Sequence, residues 1–241
     1  MTDDTLLGPQ LAGPALIGSG APAGHRAAED RRIDVYLGNP GACPREKVIY
    51  FNLFDNSGSI TGGNDPIGQR FAEVAHTLKH LTRFCNCGRE FSSIIHFDTP
   101  TSGDIAPTKL NRKGLDALAH GLSVPLDGAG ISELGPSLRR VTDLVARNPD
   151  YTPVVTVLSD FELFDPPQVL DDLVSFPGIV HAVVLRSAPP QALLDDDRVL
   201  VTRVLPSDPT GAVAKALFAS MTAVRRAPRN WNVLKKENPS W

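Results

Sequence analysis

The chain has no surplus of positive charge. Its 24 Lys and Arg stand against 27 Asp and Glu, for a formal net charge of -3 and a sequence pI near 6.1. Electrostatic attachment to a phosphate backbone rests on a Lys/Arg excess, so nucleic acid is not the expected partner. Long apolar runs are missing too. None approaches the ~20 residues a membrane-spanning helix needs, which argues against a membrane span. The Met-Thr-Asp-Asp start lacks the basic leader and apolar core of a secretory signal. Cysteine is scarce: the three are an odd number, and Cys85 and Cys87 are too close to make an easy staple. Cys43, Cys85 and Cys87 could offer three thiolates to zinc, but the spacing is not the usual one and no fourth ligand is obvious. The expectation is three ordinary thiols in a reduced, cytoplasmic protein.

What is present is enough apolar material for a sizeable core, with 41% hydrophobic residues in a chain of 241. Residues 1 to 30 are rich in Gly, Pro, Ala and Leu without a period of two or 3.6, the pattern of a flexible arm. Gly18, Gly20 and Gly24 do not make a dinucleotide loop, because no strand precedes them and the spacing is one residue too long. Residues 31 to 224 read as one domain. Residues 225 to 241, with Arg225, Arg226, Arg229, Trp231 and Trp241, read as a basic and aromatic tail that packs back on the domain or docks onto a partner.

Within the domain, Lys47 to Phe54 is a nearly continuous apolar run, the pattern of a strand buried on both faces. A polar loop follows, and Pro66 opens a stretch with Ile67, Phe71, Val74, Leu78 and Leu81 at helical spacing. Further strands are predicted at Ser92 to Phe97, Ile105 to Leu110, Thr152 to Leu158, Ile179 to Leu185 and Val199 to Val204. Helices are predicted at Arg112 to His120, Leu134 to Val145, from Asp165 and Pro166-Pro167 through Val174, and at Gly211 to Ala223. Strands alternating with helices imply an α/β fold: a doubly wound, mostly parallel sheet of six strands with helices on both faces. Ligands then gather beyond the carboxyl ends of the strands.

Two loops sit at such ends, Asp55-Asn56-Ser57-Gly58-Ser59 and Ser159-Asp160. The pattern Asp55-x-Ser57-x-Ser59 after a hydrophobic strand resembles the metal-ion-dependent adhesion site of von Willebrand factor A domains. That resemblance implies one short antiparallel edge strand in the sheet. In the family a threonine from a Gly-rich loop before a helix completes the site; Gly130-Ile131-Ser132 occupies the matching place, with serine for threonine. The family's last element is a strand-end aspartate usually followed by glycine. Asp160 matches it, but Phe161 stands where glycine is usual, which puts the local loop shape in doubt.

The chemistry suits Mg²⁺, with Mn²⁺ as the alternative. Mg²⁺ is small, demands near-octahedral oxygen ligands and gives up water reluctantly. Hydroxyls of Ser57, Ser59 and Ser132 would bind directly, while Asp55 and Asp160 act largely through water. Neutral direct ligands leave the ion poorly neutralised, so an Asp or Glu of a partner protein becomes a natural ligand. The expected role is therefore a metal-dependent protein-binding module and not an enzyme. Many bacterial intracellular domains that this one resembles act beside an AAA+ ATPase or in stress and defence assemblies. Two alternatives remain: a metal-free scaffold that keeps the fold, or a haloacid-dehalogenase-type phosphatase using Asp55. The latter needs an acidic residue two positions on, where this chain has Ser57.

Other polar residues have plainer readings. His76 and His80 lie four apart on a helix but have no adjoining acid, so a solvated helix face is expected. His96 reads as a hydrogen-bonded histidine within a strand.

Overall fold

The computed structural model describes residues 33–61 and 69–226. The run from Lys47 becomes β1 (Lys47–Phe54), in which every residue after Lys47 is buried. Along the chain there follow α1 (Gly58–Thr61), α2 (Arg70–Phe84), β2 (Glu90–His96), β3 (Ile105–Lys109), α3 (Arg112–Ala119) and α4 (Gly135–Ala146). Then come β4 (Tyr151–Ser159), α5 (Gln168–Val174), β5 (Ile179–Leu185), α6 (Gln191–Leu194), β6 (Val199–Val204) and α7 (Ala212–Arg226). The strands form one six-stranded sheet in the order β3-β2-β1-β4-β5-β6, with all neighbours parallel except the edge pair β2 and β3.

The period of two along β1 divides its side chains between two cores. Val48, Tyr50 and Phe54 join Phe71, Val74, Leu78 and Leu81 of α2 and Leu217 and Met221 of α7. Ile49, Phe51 and Leu53 join Leu138 and Val141 of α4 and Leu173 of α5 on the opposite face. Helices on both faces explain why β1, β4 and β5 carry continuous apolar runs. The chain leaves β1 toward β2 on one side and returns with β4 on the other. The order reverses between β1 and β4, and the crevice at a doubly wound sheet's reversal point is its ordinary ligand position.

Three expectations need correction. Arg225, read as the start of a tail, is a buried residue of α7: its guanidinium grips the Glu90 carboxylate with Nε–Oε1 at 2.9 Å and Nη2–Oε2 at 2.6 Å, and Tyr50 Oη donates to the same carboxylate at 2.9 Å. The face of α2 carrying His76 and His80 is only partly solvated. The segment holding Val35 and Gly38 lies against it, and the two imidazoles pair with the carbonyls of Val35 (3.1 Å) and Gly38 (2.7 Å). The cysteines are not three separate reduced thiols: Cys43 and Cys85 form a disulfide, a bond typical of oxidising compartments that does not match the expected reduced, cytoplasmic setting. No helix among the described residues is long and apolar enough to cross a membrane. Pro66, Ile67, the amino-terminal arm and the tail beyond Arg226 lie outside the described residues.

Candidate metal centre

Asp55 is the first residue past β1, and its N–H still bonds to Leu158 O at 3.0 Å, so the β1–β4 pairing carries it to the reversal point. The backbone then tightens into the single turn of α1, where Ser57 O accepts from Ile60 N, Thr61 N and Thr61 Oγ1, each at 3.0 Å. That turn brings Ser57 Oγ and Ser59 Oγ to 3.0 Å from each other. The Asp55 carboxylate is fully buried beneath them. Oδ1 accepts from Ser57 N at 2.8 Å, and Oδ2 accepts from Ser159 Oγ at 2.6 Å and Ser132 Oγ at 3.3 Å. Asp160, on the same strand end as Ser159, accepts from Glu162 N at Oδ1 (3.0 Å). All five residues nominated from the sequence are therefore gathered at the carboxyl ends of β1 and β4 and the loop before α4. Of the five, only Ser59 is exposed.

Burial pushes the Asp55 carboxyl above the usual carboxylate range. The hydrogen bonds from Ser159 and Ser57 work against that shift, and the Asp160 charge adds to it. A carboxylate pressed this way at a site with a second carboxylate is relieved by a cation. The donor set has suitable spacing as well, since adjacent ligands of an octahedral ion with bonds of about 2.1 Å stand about 3.0 Å apart. The Ser57 and Ser59 hydroxyls are separated by that distance. Oxygen-only donors, two of them carboxylates, suit a hard divalent cation.

Several supporting residues were not legible in advance. Ser159 was only a strand terminus in the sequence, yet its hydroxyl donates to Asp55 and accepts from Phe161 N at 2.8 Å. Phe161 resolves the doubt about the missing glycine: it holds φ 59°, a left-handed backbone, while its ring is buried in the core beneath α4 and α5. The backbone shape that favours glycine is thus kept by a residue whose burial offsets the strain. Asp165, expected to open the helix ending at Val174, instead caps α4, accepting from Leu134 N and from Gly135 N (3.0 Å) just past Ser132. Asp98 accepts from Gly130 N and Ile131 N, both at 2.9 Å, and so fixes the approach to Ser132.

On the other flank, Arg70 Nη2 donates to Asn56 Oδ1 at 3.0 Å, and Asn56 Nδ2 meets His96 Nδ1 at 2.8 Å. His96 Nε2 pairs with Gly121 O at 3.1 Å, which makes it the hydrogen-bonded strand histidine expected, in the tautomer protonated at Nε2. Arg186, at φ 71°, donates from Nη1 to Ser59 O at 2.7 Å. These contacts reach the loop of Asp55 to Ser59 from α2, β2 and the turn after β5. No local sequence pattern could have announced them.

No family model matches the chain, and no curated protein does. Solved structures do. The pilus adhesin SpaC of Lactobacillus rhamnosus GG aligns over 75% of this chain with a TM-score of 0.55 and 14% identity. Proximal thread matrix protein 1 from the mussel byssus aligns over 75% with a TM-score of 0.51 and 16% identity. A second structure of that byssus protein, described as having a zinc-occupied MIDAS motif, aligns over 74% at a TM-score of 0.50 and 18% identity. This chain spans 31% of the adhesin chain and 48% of the byssus protein. Identities this low speak to architecture alone. Together with the sheet order and the single antiparallel edge strand, they show that the chain has a von Willebrand factor A-like α/β fold.

Proposed function

We propose that the chain is a metal-dependent protein-binding module that holds an Asp or Glu side chain of a partner protein, and that it does not catalyse a reaction. The observation that carries this reading is the gathering of Ser57, Ser59 and Ser132 hydroxyls over the buried Asp55, with Asp160 alongside, at the sheet's reversal point. Mg²⁺, or Mn²⁺ in its place, would be held by the three serine hydroxyls, with Asp55 and Asp160 behind them. The ion would supply a Lewis-acidic position toward solvent that a carboxylate can fill. Ser159, Asp165 and Asp98 keep the donors in place. Arg186 and Arg70 brace the Ser59 and Asn56 ends of the loop. That the byssus protein of similar fold is described with a zinc-occupied MIDAS motif supports the reading of a divalent ion. No carboxylate stands two residues after Asp55 to protonate a leaving group, which argues against phosphoester turnover.

The test uses Mn²⁺ as a paramagnetic probe and acetate as the simplest carboxylate. Protein-bound Mn²⁺ should relax the acetate methyl protons strongly in the wild type and not in Asp55→Ala or Ser57→Ala, with excess chelator abolishing the effect. One observation favours a second reading, a metal-free scaffold: both Asp55 oxygens already accept hydrogen bonds from within the fold. Absence of Mn²⁺ binding by the wild type at millimolar concentration would replace the first reading with the second.

A further inference from the structure

The cysteines lie at the other end of the sheet. Cys43 is four residues before β1, and Cys85 to Cys87 lie between α2 and the start of β2. β1 has eight residues rising about 3.3 Å each, so this edge is roughly 25 Å from Asp55. The three Sγ atoms lie within 4.8 Å of one another although Cys43 and Cys85 are 42 residues apart in sequence. A tetrahedral zinc ion with Zn–S bonds of about 2.3 Å spaces its sulfurs about 3.8 Å apart, so small side-chain movements would bring three thiolates onto one ion.

The surroundings favour such a site in two further ways. Cys87, Gly88 and Arg89 form a tight turn in which Arg89 N–H donates to Cys87 Sγ at 3.4 Å, a contact that orients a sulfur and supports its negative charge. The backbone of Gly88 takes the left-handed conformation that favours glycine, and the end of the Lys109 side chain lies against it. Its φ is +71°, and a Cβ would sit 2.7 Å from both Cε and Nζ of Lys109. That close approach places the Lys109 ammonium against the turn. Arg89 Nη1 donates to Pro44 O at 3.2 Å, which brings a guanidinium beside Cys43. Two cations therefore flank the cluster, and a zinc ion bound by three thiolates carries a net charge of -1 that they offset.

We propose that Cys43, Cys85 and Cys87 form a second metal site, a three-thiolate site for a zinc-class ion, closed by the Cys43–Cys85 disulfide and opened by a dithiol reductant. The reductant gives two electrons and two protons to the disulfide and leaves as its own disulfide. The three resulting thiols then release three protons as three metal–sulfur bonds form, and the fourth position is left to water or an incoming ligand. In both forms the cluster ties residues 33 to 46 to the carboxyl end of α2. Chain redox state thus decides whether the tie is a covalent bond or a metal.

The test uses the full chain reduced with a phosphine, which does not compete for the metal as a dithiol would, and Co²⁺ as the optical probe. Reduced protein should bind about one Co²⁺ per chain at the thiolates, seen as a thiolate-to-metal charge-transfer band in the near ultraviolet, displaced by Zn²⁺ and insensitive to excess Mg²⁺. The oxidised chain should show no band, Cys87→Ser should lose it, and Asp55→Ala should keep it. That last variant separates this site from the one at the strand ends. Alkylation provides an independent readout: Zn²⁺ should shield all three thiols of the reduced chain. Absence of the band in reduced wild type, an undiminished band in Cys87→Ser, or equal alkylation with and without Zn²⁺ would each overturn the proposal.

Discussion

Replacing Asp55 by Asn changes one charge at the centre of the candidate metal site while keeping the side chain's shape. The carboxylate is fully buried and accepts from Ser57 N, Ser159 Oγ and Ser132 Oγ. In the variant, Oδ1 keeps the Ser57 contact and Nδ2 faces two hydroxyls that can rotate to accept from it. The metal-free fold should therefore change by no more than about 1 kcal/mol. Metal binding is a different matter. An ion present at 100 times its Kd stabilises the wild type by about 2.7 kcal/mol. For a domain of this size each kcal/mol moves Tm by about 2–4 °C, so saturating Mg²⁺ or Mn²⁺ should raise the wild-type Tm by roughly 5–11 °C. Asp55→Asn should show no rise.

The pH dependence adds a second signature. The folded-state pKa of Asp55 is raised above its ordinary value of 3.8, so its contribution to stability is fully present below that value and is lost as pH rises through the folded pKa. Without metal, the wild type should therefore lose stability relative to Asp55→Asn as pH rises from the acid range toward neutrality. Added metal should reverse the difference. Thermal denaturation with and without chelator, at several pH values, measures both effects. An equal metal-induced shift in the two proteins would refute the assignment of Asp55.

The remaining predictions concern the frame and the chemistry. Glu90→Leu or Arg225→Met alone should cost about 3–5 kcal/mol in urea denaturation, because each strands a buried charge, whereas the double variant should recover most of that loss; additive losses would deny the pairing. Burial lowers His181 from 6.5 to about 3, so its contribution to stability is complete above pH 6.5 and is lost as pH falls toward 3, at about 1.4 kcal/mol per pH unit; His181→Gln should flatten that acid limb. Phe161→Gly should relieve about 1–2 kcal/mol of left-handed strain but forfeit about 3–5 kcal/mol of packing, a net loss visible as a lowered urea midpoint. Hydrolysis of simple phosphoesters should stay at background, and turnover that vanishes in Asp55→Asn would point to an enzyme instead.

Residues buried on both faces of a sheet write continuous apolar runs, and for that reason β1, β4 and β5 were legible from order and composition, as were the helices long enough to show a period. Four-residue turns such as α1 and α6 carry no period, so they were not. The five candidate metal-site residues were nominated because their types and order around strand ends match a known pattern. Their convergence on one point depends on β1 and β4 lying side by side, which no local window specifies.

Contacts made across long loops were decided by the tertiary structure alone. Asp165 caps a helix 30 residues before it, Arg225 reaches Glu90 across 135 residues, and Cys43 meets Cys85 across 42. Each of these depends on where the sheet order places two distant segments. Side-chain type and local period settle which stretches become strands and helices and which residue types could bind a hard cation. Only the packed sheet, by bringing together the ends of β1 and β4 and setting the carboxyl end of α2 against Cys43, decides which of those residues share a site, because hydrogen-bond reach is about 3 Å in space and has no fixed length in sequence.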